Sequence, residues 1–500
     1  MRLKNAIHNT FFILLQQIVT AVYGLVIPSL IIKTYGSSVN GVISSITQFL
    51  SYITLLEAGV GSVICAALYK PLAENNMQRV SGVVKATENF FHKLAKIFII
   101  YLLVIALVYP YFVKEQFSCL FTSSLVFIIS ASILAQYYFG ITYQLLLQSD
   151  QKVWVIALLQ IISTIATFII TVICIRLGTN IHVLKLVTTT VYIFRPIILN
   201  LYVKRNYKFS KNIDPDNDAL SQRWDGLAHH IAYIIHYNTD ITVLTVFSNV
   251  LEVSVYAVYY NVISNIYKII SSFKRGLNAS VGNMIANSEM IRVNKTLNEF
   301  ETLNFMLINI FYSCIIVLVV PFVEIYTKGV IDVNYNRPIF AVVLSLAEAA
   351  YSIRDPYDMI IFAAGHFKQT KVGAYVEAVI NIGCSLILVN FIGIEGVAIG
   401  TLIAMLFRAF QYVDYLSKNI LYRSKRIFFK KFVMNICLGI AIVWCISRVS
   451  LQINTYLEWL SYAIIVFAIV LVGNISVNFV FYKNEMLGLY NYAFKRMRKE

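Results

Sequence analysis

Charge is scarce in this sequence: Asp, Glu, Lys and Arg make up 13% of 500 residues, and 59% are hydrophobic. Soluble domains carry about 25% charged residues, so a chain wrapped entirely in water is excluded. Long polar tracts are also missing, the most polar stretch being KRNYKFSKNIDPDNDALSQRW at 204–224. The seven cysteines (65, 119, 174, 314, 384, 437 and 445) all lie in apolar segments, with no Cys-x-x-Cys or other metal spacing. They read as small core hydrophobes, with no disulfide framework, metal site or cofactor expected. No G-x-x-x-x-G-K-[ST] occurs, so there is no P-loop for ATP and the energy must come from gradients or cargo. No A-x-A-like cleavage site ends the first apolar run, which is therefore expected to be a retained helix.

What the chain has in abundance is apolar stretches as long as a membrane helix. Fourteen are expected, near 11–32, 41–68, 94–113, 119–146, 153–175, 182–203, 225–248, 252–273, 303–326, 339–363, 371–391, 394–416, 429–449 and 457–481. The fold class is all-α, a polytopic membrane protein. With the N-terminus inside, 30 of the 41 Lys and Arg fall on the inner side, six on the outer side and five within spans. This positive-inside asymmetry predicts that both termini are cytoplasmic. The net charge of +16 then faces anionic inner-leaflet lipid, and nucleic acid is not a partner.

The chain repeats internally. Phe194-Arg195 recurs as Phe407-Arg408, Tyr137 and Tyr143 recur as Tyr351 and Tyr357, and Gln151–Ser163 resembles Lys368–Ile380, all at a nearly constant offset. Six spans separate each pair, an even number, so the repeat is parallel. The expected organisation is an N-terminal six-helix lobe (1–210), a cytoplasmic linker (211–224), a C-terminal six-helix lobe (225–420), and two added helices with a basic tail (421–500).

Candidate functional residues are the charges that sit inside spans. A charge at the centre of a membrane helix costs about 2.5–3.5 kcal/mol even on the lenient insertion scale. The stretch AVVLSLAEAAYSIRDPYDMIIFAA (341–364) nevertheless holds Glu348, Arg354, Asp355 and Asp358, with Pro356 among them. Proline removes a backbone hydrogen bond and disfavours helical angles at the residue before it, so a break is expected beside the charges. Two readings stand: a solute or ion pathway, or an Arg354–Asp355 staple between helices. In span seven, Asp225, His229, Tyr233, His236 and Asp240 share one helical face, which suits a proton relay or simple interhelical hydrogen bonding. Arg195 and Arg408 lie nine and ten residues from Lys204 and Lys418, too deep for comfortable snorkelling. With Arg354 they are candidates to hold a diphosphate, because a guanidinium fork suits bidentate phosphate contact. The alternative is pairing with Asp414, Glu377 or Glu57. Glu57 itself either pairs with an arginine or binds a coupling cation, while Lys268 and Lys185, near span ends, are read as snorkelling.

The segments PSLIIKTYGSSVNGVISS (28–45), LLEAGVGSVICAALYKPLAENN (55–76) and AAGHFKQTKVGAYVEAVINIGCSLILVNFIGIEGVAIGTLIAMLFR (363–408) resemble the multidrug/oligosaccharidyl-lipid/polysaccharide (MOP) exporter superfamily. Within it, six plus six plus two spans are similar to the polysaccharide repeat-unit flippases of the O-antigen and capsule type. The resemblance implies two lobes around a cavity that alternates its access. It also implies export of an undecaprenyl-diphosphate-linked oligosaccharide across the bacterial cytoplasmic membrane, with membrane lipid and a candidate polysaccharide polymerase as partners. It implies no catalytic residue and no enzyme activity. The alternatives are a cation-coupled multidrug exporter, a lipid II flippase of the same superfamily, or a membrane polysaccharide polymerase. The last is disfavoured by short, sparsely acidic outer loops.

Overall fold

The computed structural model describes residues 2–57, 59–210, 213–216, 227–448 and 453–497. Asp225 and the expected linker 211–224, apart from residues 213–216, lie outside them. Every regular element among the described residues is helical. The chain forms two compact units, Met1–Ile234 with Ser248–Ser254, and Ile235–Phe247 with Val255–Glu500.

The first unit holds α1 (Arg2–Tyr35), α2 (Ser37–Ser51), α3 (Val60–Ala73), α4 (Met77–Phe112), α5 (Cys119–Phe139), α6 (Ile141–Ser149), α7 (Val153–Arg176), α8 (Ile181–Asn206) and the start of α9 (Leu227–Phe247). The expected second span is α2 and α3 together. A single 3-10 segment (Tyr52–Glu57) joins them, followed by Gly59 at φ 74. The fourth span is likewise divided, at Gly140 between α5 and α6. A core of Ile46, Leu50, Ile64, Phe91, Phe98, Leu125 and Leu146 binds these helices together. Ser210 and residues 213–216 lie along the start of α4: Ser210 N donates to Ser81, Lys85 Nζ donates to the Ile213 carbonyl at 2.7 Å, and Asp216 N donates to the Gly82 carbonyl.

The second unit holds the rest of α9, most of α10 (Val250–Ala286), then α11 (Met290–Tyr326), α12 (Pro338–Ile353), α13 (Asp355–Ala363), α14 (Phe367–Asn419), α15 (Lys425–Ser447), α16 (Tyr456–Phe481) and α17 (Lys483–Met497). Span ten breaks at Arg354, with Pro356 in the first turn of α13, where its missing N–H is not needed. α14 is a hairpin of two helices, reversed at Ile392 and Gly393. Gly393 has φ 60 and ψ −132, a region open only to glycine. The arms are so close that a Cβ on Gly396 would overlap the Leu388 carbonyl. Ile310, Cys314 and Leu318 of α11 pack on Ile442, Ile446, Tyr462, Val466 and Val470 of α15 and α16, which fixes the last two spans to the unit.

Ten helices among the described residues are long and apolar enough to cross a membrane. The other four expected spans coincide with α9, α10, the broken pair α12–α13, and the second arm of α14. This is an all-α polytopic membrane protein. The repeat reappears as paired contacts. Tyr143 donates to Glu88 in the first unit, and at the repeat-equivalent positions of the second unit Tyr357 donates to Glu301. The divided helices correspond in the same way, α5–α6 parting at Gly140 and α12–α13 at Arg354.

Candidate functional site

In the second unit, α9, α12, α13 and α14 place their polar residues in one connected series. Helical spacing puts Glu348 and Tyr351 on one face of α12, and the break turns Arg354 and Asp355 to different neighbours. Glu348 is 1% exposed and stands 3.6 Å from Nε2 of His236, which is 3% exposed. Neither side chain has a hydrogen-bond partner among the described residues. The His236 ring stacks on Tyr351 at 4.2 Å, and the Arg354 guanidinium lies 3.6 Å from the centre of that same ring. Arg354 Nη1 then donates to Glu377 Oε1 at 3.2 Å, and Arg408 Nε stands 3.1 Å from Glu377 Oε2. Glu377 therefore joins both arginines.

Arg408 is 1% exposed and pairs with Glu377. Its Nη1 donates to the Thr370 carbonyl and Gln411, and its Nη2 to the Tyr412 hydroxyl. Gly373 makes the room, since a Cβ there would overlap Arg408 Nη1. Asp414, the other carboxylate considered for Arg408, lies in ion pairs with Lys418 and Lys425 instead. The Arg354–Asp355 staple is not formed. Asp355 and Asp358 both pair with Lys274, at 2.9 and 2.6 Å. The physical reason is the break: Asp355 opens a new helix, so adjacent residues no longer share a face.

His236 and Asp240 share a helix face, but the structure gives them different partners. Asp240 accepts from Tyr256 at 2.8 Å and from Thr401, whose hydroxyl reaches both of its oxygens at 2.8 and 2.9 Å. Asn381 Nδ2 donates to Thr401 at 2.9 Å, and Asn381 Oδ1 has no partner among the described residues. A carboxylate, two hydroxyls and a carboxamide are thus linked inside α9, α10 and the α14 hairpin. Such a set can exchange a proton or hold a hard monovalent cation.

The first unit answers differently. Glu57 accepts from Tyr137 at 2.5 Å. Arg195 donates to the carboxamide oxygens of Gln160 and of Gln136 (3.3 Å for the latter), and its Nε has no partner among the described residues. No carboxylate lies within ion-pair distance of it among the described residues. The repeat relation is direct: Gln160 corresponds to Glu377, as Arg195 corresponds to Arg408. One arginine is neutralised and its counterpart is not.

A cluster outside the expected set is Glu301, which accepts from Tyr357, Arg423 (2.6 Å) and Lys431 (2.8 Å) at 0% exposure. Arg423 and Lys431 count as inner-side loop charges in the sequence. The signal that identifies the site is the repeat itself, since Glu301 and Tyr357 stand where Glu88 and Tyr143 do in the first unit.

No family model matches this chain, and no curated protein does. Among solved structures, one titled "Lipid II flippase MurJ, inward closed conformation" superposes with a TM-score of 0.72 at 16% identity, covering 95% of this chain and 100% of its own. An inward-facing multidrug resistance MATE family transporter of the MOP superfamily gives 0.62 at 12% identity, covering 79% and 92%. The Vibrio cholerae MATE transporter VcmN in the bent form gives 0.52 at 14%, covering 84% and 98%.

Proposed function

We propose that this chain, which has the fold of the MOP exporter superfamily, is a secondary transporter that moves a lipid-linked oligosaccharide repeat unit across the cytoplasmic membrane by alternating access. The observation that carries this reading is Arg195, an intramembrane guanidinium held by two carboxamides and no carboxylate. A charge so costly in a membrane helix, and without an internal counter-ion, is suited to an anionic cargo. A diphosphate headgroup meets that need. Its outward passage from a negative interior is favoured by about 4.6 kcal/mol per 100 mV if two charges cross the whole field. Likeness to a solved lipid II flippase supports a lipid-linked cargo and leaves lipid II itself as the nearest alternative substrate.

The test is transport by the purified full chain in proteoliposomes. A fluorescent undecaprenyl-diphosphate-linked oligosaccharide should become accessible to an external quencher faster than in empty vesicles. A second reading, a cation-coupled drug exporter, is favoured by Asp240 and by the Glu348–His236 pair. It requires export of a lipophilic cation driven by a proton or sodium gradient and blocked by Asp240→Asn. That result with no lipid flipping would replace the leading proposal.

We place both termini in the cytoplasm. Cysteines introduced at Asn334 and Asn454 should therefore label from outside intact cells, and those at Asn287 and Asn484 only after permeabilisation. The reverse pattern would invert the orientation drawn from the charge count.

A further inference from the structure

Arg195 is not alone on α8. Lys185, Tyr192 and Arg195 fall within an arc of about 80° on the helix, the same side as the buried Leu184, Thr188 and Leu199. Lys185 is part-buried there, and its ammonium has no hydrogen-bond or ion-pair partner among the described residues. The facing helix is α7, antiparallel to α8 through the short turn 177–180. α7 presents Gln160, Thr164, Thr167 and Thr171 within an arc of about 60°. Gln160 meets Arg195, which sets the register. Eleven residues along α7 and ten back along α8, about 15–16 Å, bring Thr171 and Lys185 to one level. Thr167 and Thr171 are 0% and 1% exposed, and both hydroxyls lack a partner among the described residues. A polar seam thus runs through the first unit with a cation at each end and unsatisfied hydroxyls between.

Packing does not demand this seam. In the second unit the repeat-equivalent positions of Thr167, Thr171 and Lys185 are Cys384, Leu388 and Ala398, and the α14 hairpin closes on them tightly. At those three positions the same pair of helices is built without a hydroxyl or an ammonium. Buried polar groups are normally bonded, and a buried cation is normally paired, so unsatisfied donors facing one seam mark a place for an acceptor.

We propose that Lys185 is a second oxyanion contact, at the opposite end of the α7–α8 seam from Arg195, and that the phosphate end of the cargo engages the two in succession. This rests on the reading of an anionic cargo given above. Two stations about 15 Å apart divide a hydrocarbon core of about 30 Å, so a headgroup never crosses its full thickness without a counter-charge. The ligand chemistry is a phosphate or diphosphate group, from a lipid-linked donor or from free inorganic anion.

The test uses the full chain in nanodiscs, with farnesyl diphosphate and inorganic pyrophosphate as probes. Lys185→Met keeps the apolar stem and removes the charge. It should weaken farnesyl diphosphate binding about tenfold or more, as loss of a charge-assisted bond does, and Lys185→Arg should bind like wild type. Pyrophosphate competing at equal strength would assign the contact to the phosphates alone, and failure to compete would assign it to a lipid-linked donor. Lys185→Met with wild-type affinity overturns the proposal and leaves Lys185 as a snorkelling residue. Loss of both Lys185 variants from the membrane also overturns it, since the residue is then needed for folding. If wild type binds neither probe, the anionic-cargo reading itself falls. Weakening by Arg195→Gln but not by Lys185→Met removes only the second contact.

Discussion

Replacing Glu301 by Gln should strip most of the chain from the membrane. Among the described residues, Glu301 is the one carboxylate bonded to both Arg423 and Lys431, and all three side chains are buried. The substitution keeps the size of the side chain and leaves two desolvated cations facing each other without a counter-ion. Breaking a buried pair in this way costs about 3–5 kcal/mol, a large part of the roughly 5–15 kcal/mol that holds a folded protein together. Tyr357 and α13 would lose their anchor to α11 and α15 in the same step. Adding Lys431→Met to Glu301→Gln removes one stranded cation and should restore part of the abundance. Asp414→Asn offers the contrast, because its pairs with Lys418 and Lys425 lie at a solvated edge, where such bridges contribute about 0–1 kcal/mol. Membrane abundance and the midpoint of thermal unfolding of the detergent-purified chain are the measurements. Glu301→Gln with wild-type values for both would show that the cluster does not hold the unit together.

Much of the fold was legible because a bilayer imposes length and hydropathy on every span. The break in span ten followed from Pro356 and its neighbouring charges, and the reversal between spans eleven and twelve falls in the gap between 371–391 and 394–416. Partners were much less legible. Helical spacing assigns Glu377, Asp414 and Glu57 to faces of their helices, but which face meets an arginine is decided by tertiary packing. Glu377 meets two because the α14 hairpin folds back on itself and the break in span ten turns Arg354 toward it. His236 and Asp240 illustrate the same limit. One face of α9 carries both, yet α12 takes His236 and the α14 hairpin takes Asp240. Glu301, Arg423 and Lys431 were hidden differently, since charges beside a span look like solvated loop until a neighbouring helix covers them. The repeat is the richest signal of all: comparing Gln160 with Glu377 already separates an arginine that has a carboxylate from one that has not.

That separation is also the largest expected effect on activity. Arg195→Gln removes a charge that no acid among the described residues of the first unit neutralises, so it leaves no unpaired carboxylate there and the fold should persist. Gln160 and Gln136 can bond to the new amide. On the proposed reading transport should nevertheless fail, because a diphosphate cargo would lose its guanidinium, and Arg195→Lys should restore only part of it, since an ammonium lacks the planar fork. Arg408→Gln should behave in the opposite way. It removes one of the two cations on Glu377 and leaves the space beside Gly373 and the Thr370 carbonyl without their donor, so abundance should fall. The most direct measurement is the amount of lipid-linked oligosaccharide retained on the cytoplasmic face, set against membrane abundance, for Arg195→Gln and Arg408→Gln side by side. The account predicts normal abundance with retained glycan for Arg195→Gln, and reduced abundance for Arg408→Gln. Normal abundance and undiminished export in Arg195→Gln would contradict it.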